Sequence, residues 1–208
     1  MWSVLLLGDV VLSASTLLVS NVRAHSTKRD AYGLYSTGTL LLVGGSSLYA
    51  RYCIFDGYMH LLYMHRLSVR DHSVFALLNN TMASGTSLLY QKHGLGVSDH
   101  SVLRVVGNSG SVRHAIYNND LWTVQQSSWL EWRDNEVGVG AMFHDTASAF
   151  VSIDSSSVVT LTGCKMGWTG LSVSPLSQAD AGYRFVAGCL TVAGREVTTA
   201  AELELNGI

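Results

Sequence analysis

A serine followed at two and four residues by apolar side chains recurs at Ser15, Ser46, Ser73, Ser101, Ser128 and Ser157, spaced 31, 27, 28, 27 and 29 residues apart. A period of this length belongs to chains that wind one structural unit per repeat and bury each unit against the next. The paired positions are Leu17/Val19, Leu48/Ala50, Phe75/Leu77, Leu103/Val105, Leu130/Trp132 and Val159/Leu161. All are apolar and two residues apart, the period of one face of a strand.

Two further columns keep the same register. Six residues before the later five serines lie Leu40, Leu67, Leu95, Trp122 and Val151, each followed two residues on by Leu42, Val69, Val97, Val124 or Ile153. The third column is aromatic: Tyr35, Tyr63, Tyr90, Tyr117 and Phe143, spaced 28, 27, 27 and 26 apart. Three short strands per repeat, with corners such as Gly107–Gly110, Asn118–Asp120 and Gln125–Ser127, predict an all-β fold. The expected form is a parallel β-helix of about six coils of 27–31 residues, right-handed by the crossover rule. A β-sandwich would also give short strands, but not three columns in register. A leucine-rich horseshoe needs a convex helix and a fixed Asn per repeat, and the pattern shows neither. The coils are expected over 1–174. Residues 175–208 read as a loop, PLSQADAGYRF, then one or two strands within Gly188–Leu205.

Composition agrees. The chain has 208 residues with 26 Ser and 20 Gly against 5 Glu and 3 Lys, a poor supply for surface helices. A single proline, Pro175, suits a backbone whose N–H groups are committed to ladders. Net charge is −2, which gives no reason to expect nucleic acid. Cys53, Cys164 and Cys189 are odd in number and lack C-x-x-C spacing, so neither a zinc site nor a disulfide framework is indicated, and their redox state is not legible. The opening apolar run, Val4 to Leu7, has no basic flank and gives little support to a signal peptide. No stretch is long enough for a membrane-spanning helix.

The segments VLSASTLLVSNV, YGLYSTGTLLL, SVRDHSVFALLNNTMASGTSLLYQ, VSDHSVLRVVGNSGS, SSWLEWRDNEVGVGAMF and VVTLTGCKMGWTG resemble the dispersed gene family protein 1 of the American trypanosome, along essentially the whole chain. The resemblance implies a fragment of a much longer surface-associated glycoprotein with repeated β-helix modules, and a role in adhesion to host surfaces or matrix. It also implies location at the cell surface or membrane, through helices this segment lacks. It carries no catalytic residues and no cofactor.

Candidate functional residues are few. Leu34, Leu62, Leu89, Ile116, Met142 and Leu171 sit between aromatic-column positions, so they form an outward apolar stripe if the tyrosines face in. Leu62, Leu89, Ile116 and Met142 are then the candidate ligand-binding residues, for a host matrix protein or glycan. Alternation alone leaves two other readings: the stripe is covered by more of a longer chain, or the strand is inverted and an outward tyrosine ladder suits sugar rings. Asp71-His72 and Asp99-His100 share one corner of adjacent coils and are candidate metal ligands, against the plainer reading of a solvated turn with Asp as an Asx residue. Arg104 and Glu131 share an outward position and are expected to pair as a weak surface ion pair. Asn79-Asn80-Thr81 is the one N-x-[ST] sequon, so Asn79 is a glycosylation candidate and is expected to be exposed.

Many β-helices of the pectin lyase-like kind cleave acidic polysaccharides, yet such enzymes need clustered carboxylates. Here Asp71 and Asp99 stack without a third, the equivalent places being Ser13, Gly44, Gln126 and Ser155. The expectation is a non-enzymatic module, with a carbohydrate-active enzyme or a structural spacer as alternatives. Uncapped end coils are expected to make the fragment self-associate.

Overall fold

The structure is a computed structural model that describes residues 2–118, 122–138, 141–145, 151–154, 156–162, 184–187, 190–192 and 195–197. The first coil holds β1 (Trp2–Leu7), β2 (Val10–Ser13) and β3 (Thr16–Ser20); the second, β4 (Arg23–Val43) and β5 (Ser47–Arg51); the third, β6 (Ile54–Val69) and β7 (Val74–Leu78). The fourth contains β8 (Thr81–Gln91), β9 (Leu95–Val97) and β10 (Val102–Val106), and the fifth β11 (Ser109–Asn118), β12 (Trp122–Val124) and β13 (Trp129–Arg133). Then come β14 (Glu136–Gly138), β15 (Ala141–Asp145), β16 (Val151–Ile153), β17 (Val158–Thr162), β18 (Arg184–Ala187), β19 (Leu190–Val192) and β20 (Arg195–Val197).

The fold is an all-β parallel solenoid. About four turns, the second to the fifth coil, are described nearly throughout, fewer than the six expected, with partly described coils before and after. The six serine-led strands, with β18 beside β17, form one seven-stranded sheet in the order β18-β17-β13-β10-β7-β5-β3, and every pair in it is parallel. The register is the one the repeat implies: Leu48 faces Phe75, Phe75 faces Leu103, and Leu103 faces Leu130. The second column also holds, with Leu40 paired to Leu67, Leu67 to Leu95, Leu95 to Trp122 and Trp122 to Val151. From Leu48 to Trp132 and from Leu40 to Val124 these side chains are buried.

Two details depart from the expected layout. In the second and third coils the first two strands are continuous, as β4 and β6, although the ladder between them shifts register between Ser26 and Ala31 and between Ser36 and Thr39. Within β6, Leu61 and Leu62 are consecutive, and both are in the core, where a flat strand would send one of them outward. Near the C-terminus, Arg184 and Phe185 belong to β18, which extends the parallel sheet beside β17, where the expectation was a loop. β19 and β20 pair antiparallel.

Backbone conformation explains the polar residues of the corners. Two consecutive residues before Ser46, Ser73, Ser101 and Ser128 are left-handed: Gly44 and Gly45, Asp71 and His72, Asp99 and His100, Gln126 and Ser127. One left-handed residue follows β3, β5, β7, β10 and β13, at Asn21, Tyr52, Asn79, Gly107 and Asp134. Gly, Asn and Asp tolerate this region at low cost, and most of these positions carry them. Gly110 is required more strictly, since its φ is 123° and an added Cβ would run into the Met82 carbonyl of the coil below.

Candidate functional site

Two buried ladders of side-chain hydrogen bonds bracket the seven-stranded sheet and set the rung spacing for everything outside it. At its entry, the backbone N–H of Ser46 donates to Ser73 Oγ at 3.1 Å, Ser73 to Ser101 Oγ at 3.0 Å, Ser101 to Ser128 Oγ at 3.2 Å and Ser128 to Ser157 Oγ at 3.1 Å. At its exit runs an asparagine ladder through Asn80, Asn108 and Asn135, all fully buried. The Cys53 N–H donates to Asn80 Oδ1 at 3.0 Å, that of Asn80 to Asn108 Oδ1 at 3.0 Å and that of Asn108 to Asn135 Oδ1 at 3.0 Å. The amide nitrogens donate to carbonyls of the preceding coil, Asn80 to Ala50, Asn108 to Leu77 and Asn135 to Val105. Fixed asparagines are thus present, in three coils, where the sequence reading found none. The signal was there: these residues lie seven beyond Ser73, Ser101 and Ser128.

The strand carrying the proposed ligand stripe is inverted relative to that expectation. Leu34, Leu62 and Leu89 are at most 3% exposed and belong to the core. The leucines face in, and of the tyrosine column Tyr63 and Tyr90 keep partial exposure while Tyr35 is buried. Ile116 pairs with Leu89 in register, but its side chain and that of Met142 lie outside the described residues, as does Leu171. The aromatic column holds from Tyr35 to Tyr63, Tyr90 and Tyr117. It slips at its end: Phe143 pairs with Ile116, and His144 takes the place beside Tyr117.

The aromatics of this row form a continuous stack in which Tyr32, Tyr35 and His60 are buried and Tyr63 and Tyr90 are partly exposed. Tyr35 and Tyr63 lie 4.9 Å apart at 28°, and Tyr63 and Tyr90 4.5 Å apart at 12°. Tyr32 packs at 4.5 Å from Tyr35 and stacks on His60 at 5.3 Å, while His60 meets Tyr90 edge-on at 5.2 Å. The His60 Nδ1 and Ser87 Oγ are hydrogen-bonded at 2.6 Å, but both residues are buried and out of reach of a substrate. Tyr63 is stacked on both faces, so it presents its phenolic edge and not a flat face for a sugar ring. Burial, then the neighbouring Tyr90 and Tyr35, push its pKa up to about 12.

Beside this stack the same strands turn a corner lined with basic side chains. His65 is half-buried, Arg66, Lys92 and His93 are exposed, and the two imidazoles meet at 5.6 Å. His65 is held below the ordinary histidine range by burial first and then by Lys92 and His93. Phenolic edges at Tyr63 and Tyr90 with imidazole, ammonium and guanidinium groups alongside make a strip able to hydrogen-bond and neutralise carboxylates or sulfates.

The other candidate residues are placed as follows. His72 and His100 stack at 5.1 Å and 7°, both exposed, in the left-handed corner with Asp71 and Asp99. Asp99 accepts from Ser98 Oγ at 3.1 Å. Among the described residues no three His, Cys, Asp or Glu side chains come together as a metal site would need. Asn79 is exposed and left-handed. Arg104 Nε lies 2.9 Å from Glu131 Oε2, and Glu131 is further held by Arg133 Nε at 3.2 Å from Oε1. The carboxylate is nearly buried, so this is a more enclosed pair than the open surface contact expected. Cys53 is a free, buried thiol at the end of the asparagine column; Cys164 and Cys189 lie outside the described residues. No helix among the described residues is long and apolar enough to cross a membrane.

The fold and this corner therefore define a parallel β-solenoid with an aromatic and cationic outer strip. Comparison with protein-family models, with curated proteins and with solved structures finds no match for the chain.

Proposed function

We propose that this chain is a non-enzymatic β-solenoid segment of a surface-displayed repeat protein, an adhesive module that presents one elongated face to a host matrix protein or cell-surface glycan. The observation that carries the reading is the outward stack of Tyr63 and Tyr90 beside His65, Arg66, Lys92 and His93. A rigid strip of phenolic edges and cations on a repeating scaffold suits a long, weakly specific acidic ligand better than a small substrate. The resemblance to the trypanosome dispersed gene family supports the surface setting, the membrane association and the glycoprotein character, with Asn79 as the accessible acceptor. Asp71 and Asp99 stack between Gly44 and Gln126, and among the described residues no group of three His, Cys, Asp or Glu side chains forms there.

The test is binding of the folded chain to an array of matrix proteins and acidic glycans, beside a variant with Lys92 and His93 changed to Ser. Selective binding that the variant loses is the expected result. A folded chain that binds nothing on the array overturns the adhesive reading and leaves a spacer.

A further inference from the structure

We propose that Arg66 and Arg70 hold the anionic groups of the ligand above Ser68 and Gly96, and that the ligand is a linear polysaccharide bearing sulfate or carboxylate groups, laid across the rungs along the solenoid axis. This rests on the adhesive reading above and adds to it a seat, a direction and a ligand class.

Strand alternation builds the seat. Leu67 and Val69 are fully buried, so Arg66, Ser68 and Arg70 share the outward face of one strand; both arginines are exposed and Ser68 is half-buried between them. The arginine Cα atoms lie about 13 Å apart along the strand, a span that two long side chains close on an anion over Ser68. Elsewhere Arg104 and Arg133 are engaged by Glu131. Among the described residues neither Arg66 nor Arg70 makes an ion pair, and Arg70 makes none even with its neighbour Asp71.

The next coil leaves room above this pair. Gly96 pairs with Ser68 on one side and Thr123 on the other, and Leu95 and Val97 fill the core, which puts Gly96 on the same outward face. Neither the backbone nor packing asks for glycine there. Gly96 is not left-handed, and an added Cβ would meet only Thr123 Oγ1, at 3.4 Å, an ordinary contact. Glycine weakens a strand interior, and in two pairings without a bulge it fits a close approach from outside.

The direction follows from the column. The same outward position holds Val11 and Leu41 in the first two coils, then Ser68, Gly96 and Thr123. The polar floor therefore starts in the coil that carries the arginines and continues past Lys92 and His93 of the fourth. A chain following it meets a new rung about every 4.8 Å. Hydroxyls at Ser68 and Thr123 suit those of a sugar chain, and these three residues include no aromatic or aliphatic anchor of the kind a protein interface uses.

Binding of the intact chain to heparin, hyaluronan and polyglutamate at one ionic strength tests this. Either glycan is expected to bind ahead of polyglutamate, and the better of the two tells sulfate from carboxylate. Arg70→Ser is expected to weaken glycan binding about tenfold, the loss of one charge-assisted contact. Gly96→Val is expected to keep the far-UV circular dichroism and to melt no lower than the native chain, because valine suits a strand, yet to weaken binding at least as much. Glycan binding that the Lys92 and His93 variant loses but that either Arg70→Ser or Gly96→Val leaves unchanged overturns the seat, with the adhesive reading intact. A preference for polyglutamate overturns the ligand class. No binding to either glycan overturns the whole inference, while the adhesive reading falls only if the matrix array is silent too.

Discussion

Asn108 Nδ2 donates to Asn135 Oδ1 at 2.9 Å in the fully buried interior, while Asn108 Oδ1 accepts both the backbone N–H and the amide of Asn80 at 3.0 and 2.9 Å. Each amide thus satisfies the corner backbone of the coil before it and is satisfied by the coil after. Linked amides polarise one another in a low-dielectric interior, so the column acts as a unit.

Asn108→Ala leaves the Asn80 N–H, the Leu77 carbonyl and the Asn135 amide short of partners in a site closed to water. The expected loss is about 2–3 kcal/mol, the cost of orphaned buried polar groups. The urea midpoint of the purified variant measures it.

Cys53→Asn extends the ladder by one rung. The thiol now reaches the Val19 carbonyl only at 3.8 Å, whereas Asn80 makes the equivalent contact to Ala50 at 2.9 Å. An amide here is expected to stabilise the fold by about 0.5–1.5 kcal/mol, one net hydrogen bond. An unchanged melting curve would show that the thiol already fits the site as well as an amide does.

Leu89→Ala is expected to cost about 2–5 kcal/mol, the range for truncating a fully buried leucine. Any loss of ligand binding should then track unfolding, which circular dichroism at the assay temperature reveals. A folded Leu89→Ala chain with selectively lost binding would restore the leucines as contact residues.

Tyr63 links stability to alkaline pH. Its folded pKa of about 12 lies above the ordinary 10.0, so between these values the unfolded chain ionises the phenol and the folded chain does not. Its contribution is intact below pH 10 and is lost as pH rises through about 12. In phenolate absorbance, Tyr63→Phe is expected to remove a late-titrating component, and titration of that component near pH 10 in the native chain would contradict the stacked geometry.

Much of this architecture was legible in the residues. Serines at 27–31-residue spacing, with apolar side chains two and four beyond, predicted the rungs from Leu17 to Val159, and pairing such as Val105 to Trp132 follows that register. The asparagine column carried the same spacing but was obscured, because Asn80 also reads as the middle of a sequon and Asn108 as part of a turn. The end of the aromatic column was misread for a different reason: one residue fewer before Phe143 shifts it onto the leucine row, and Tyr117 takes His144 as its neighbour.

The sequence by itself determined that the chain coils, how long each coil is and which columns stack, because apolar alternation at a constant period leaves few other ways to bury those side chains. Tertiary structure decided which side of the aromatic strand faces water. Alternation separates two faces without labelling them, and at Leu61–Leu62 the chain bends so that two consecutive leucines enter the core. There Tyr63 stays partly exposed beside Lys92 and His93 while His60 is buried, an arrangement that depends on how the corner packs in three dimensions.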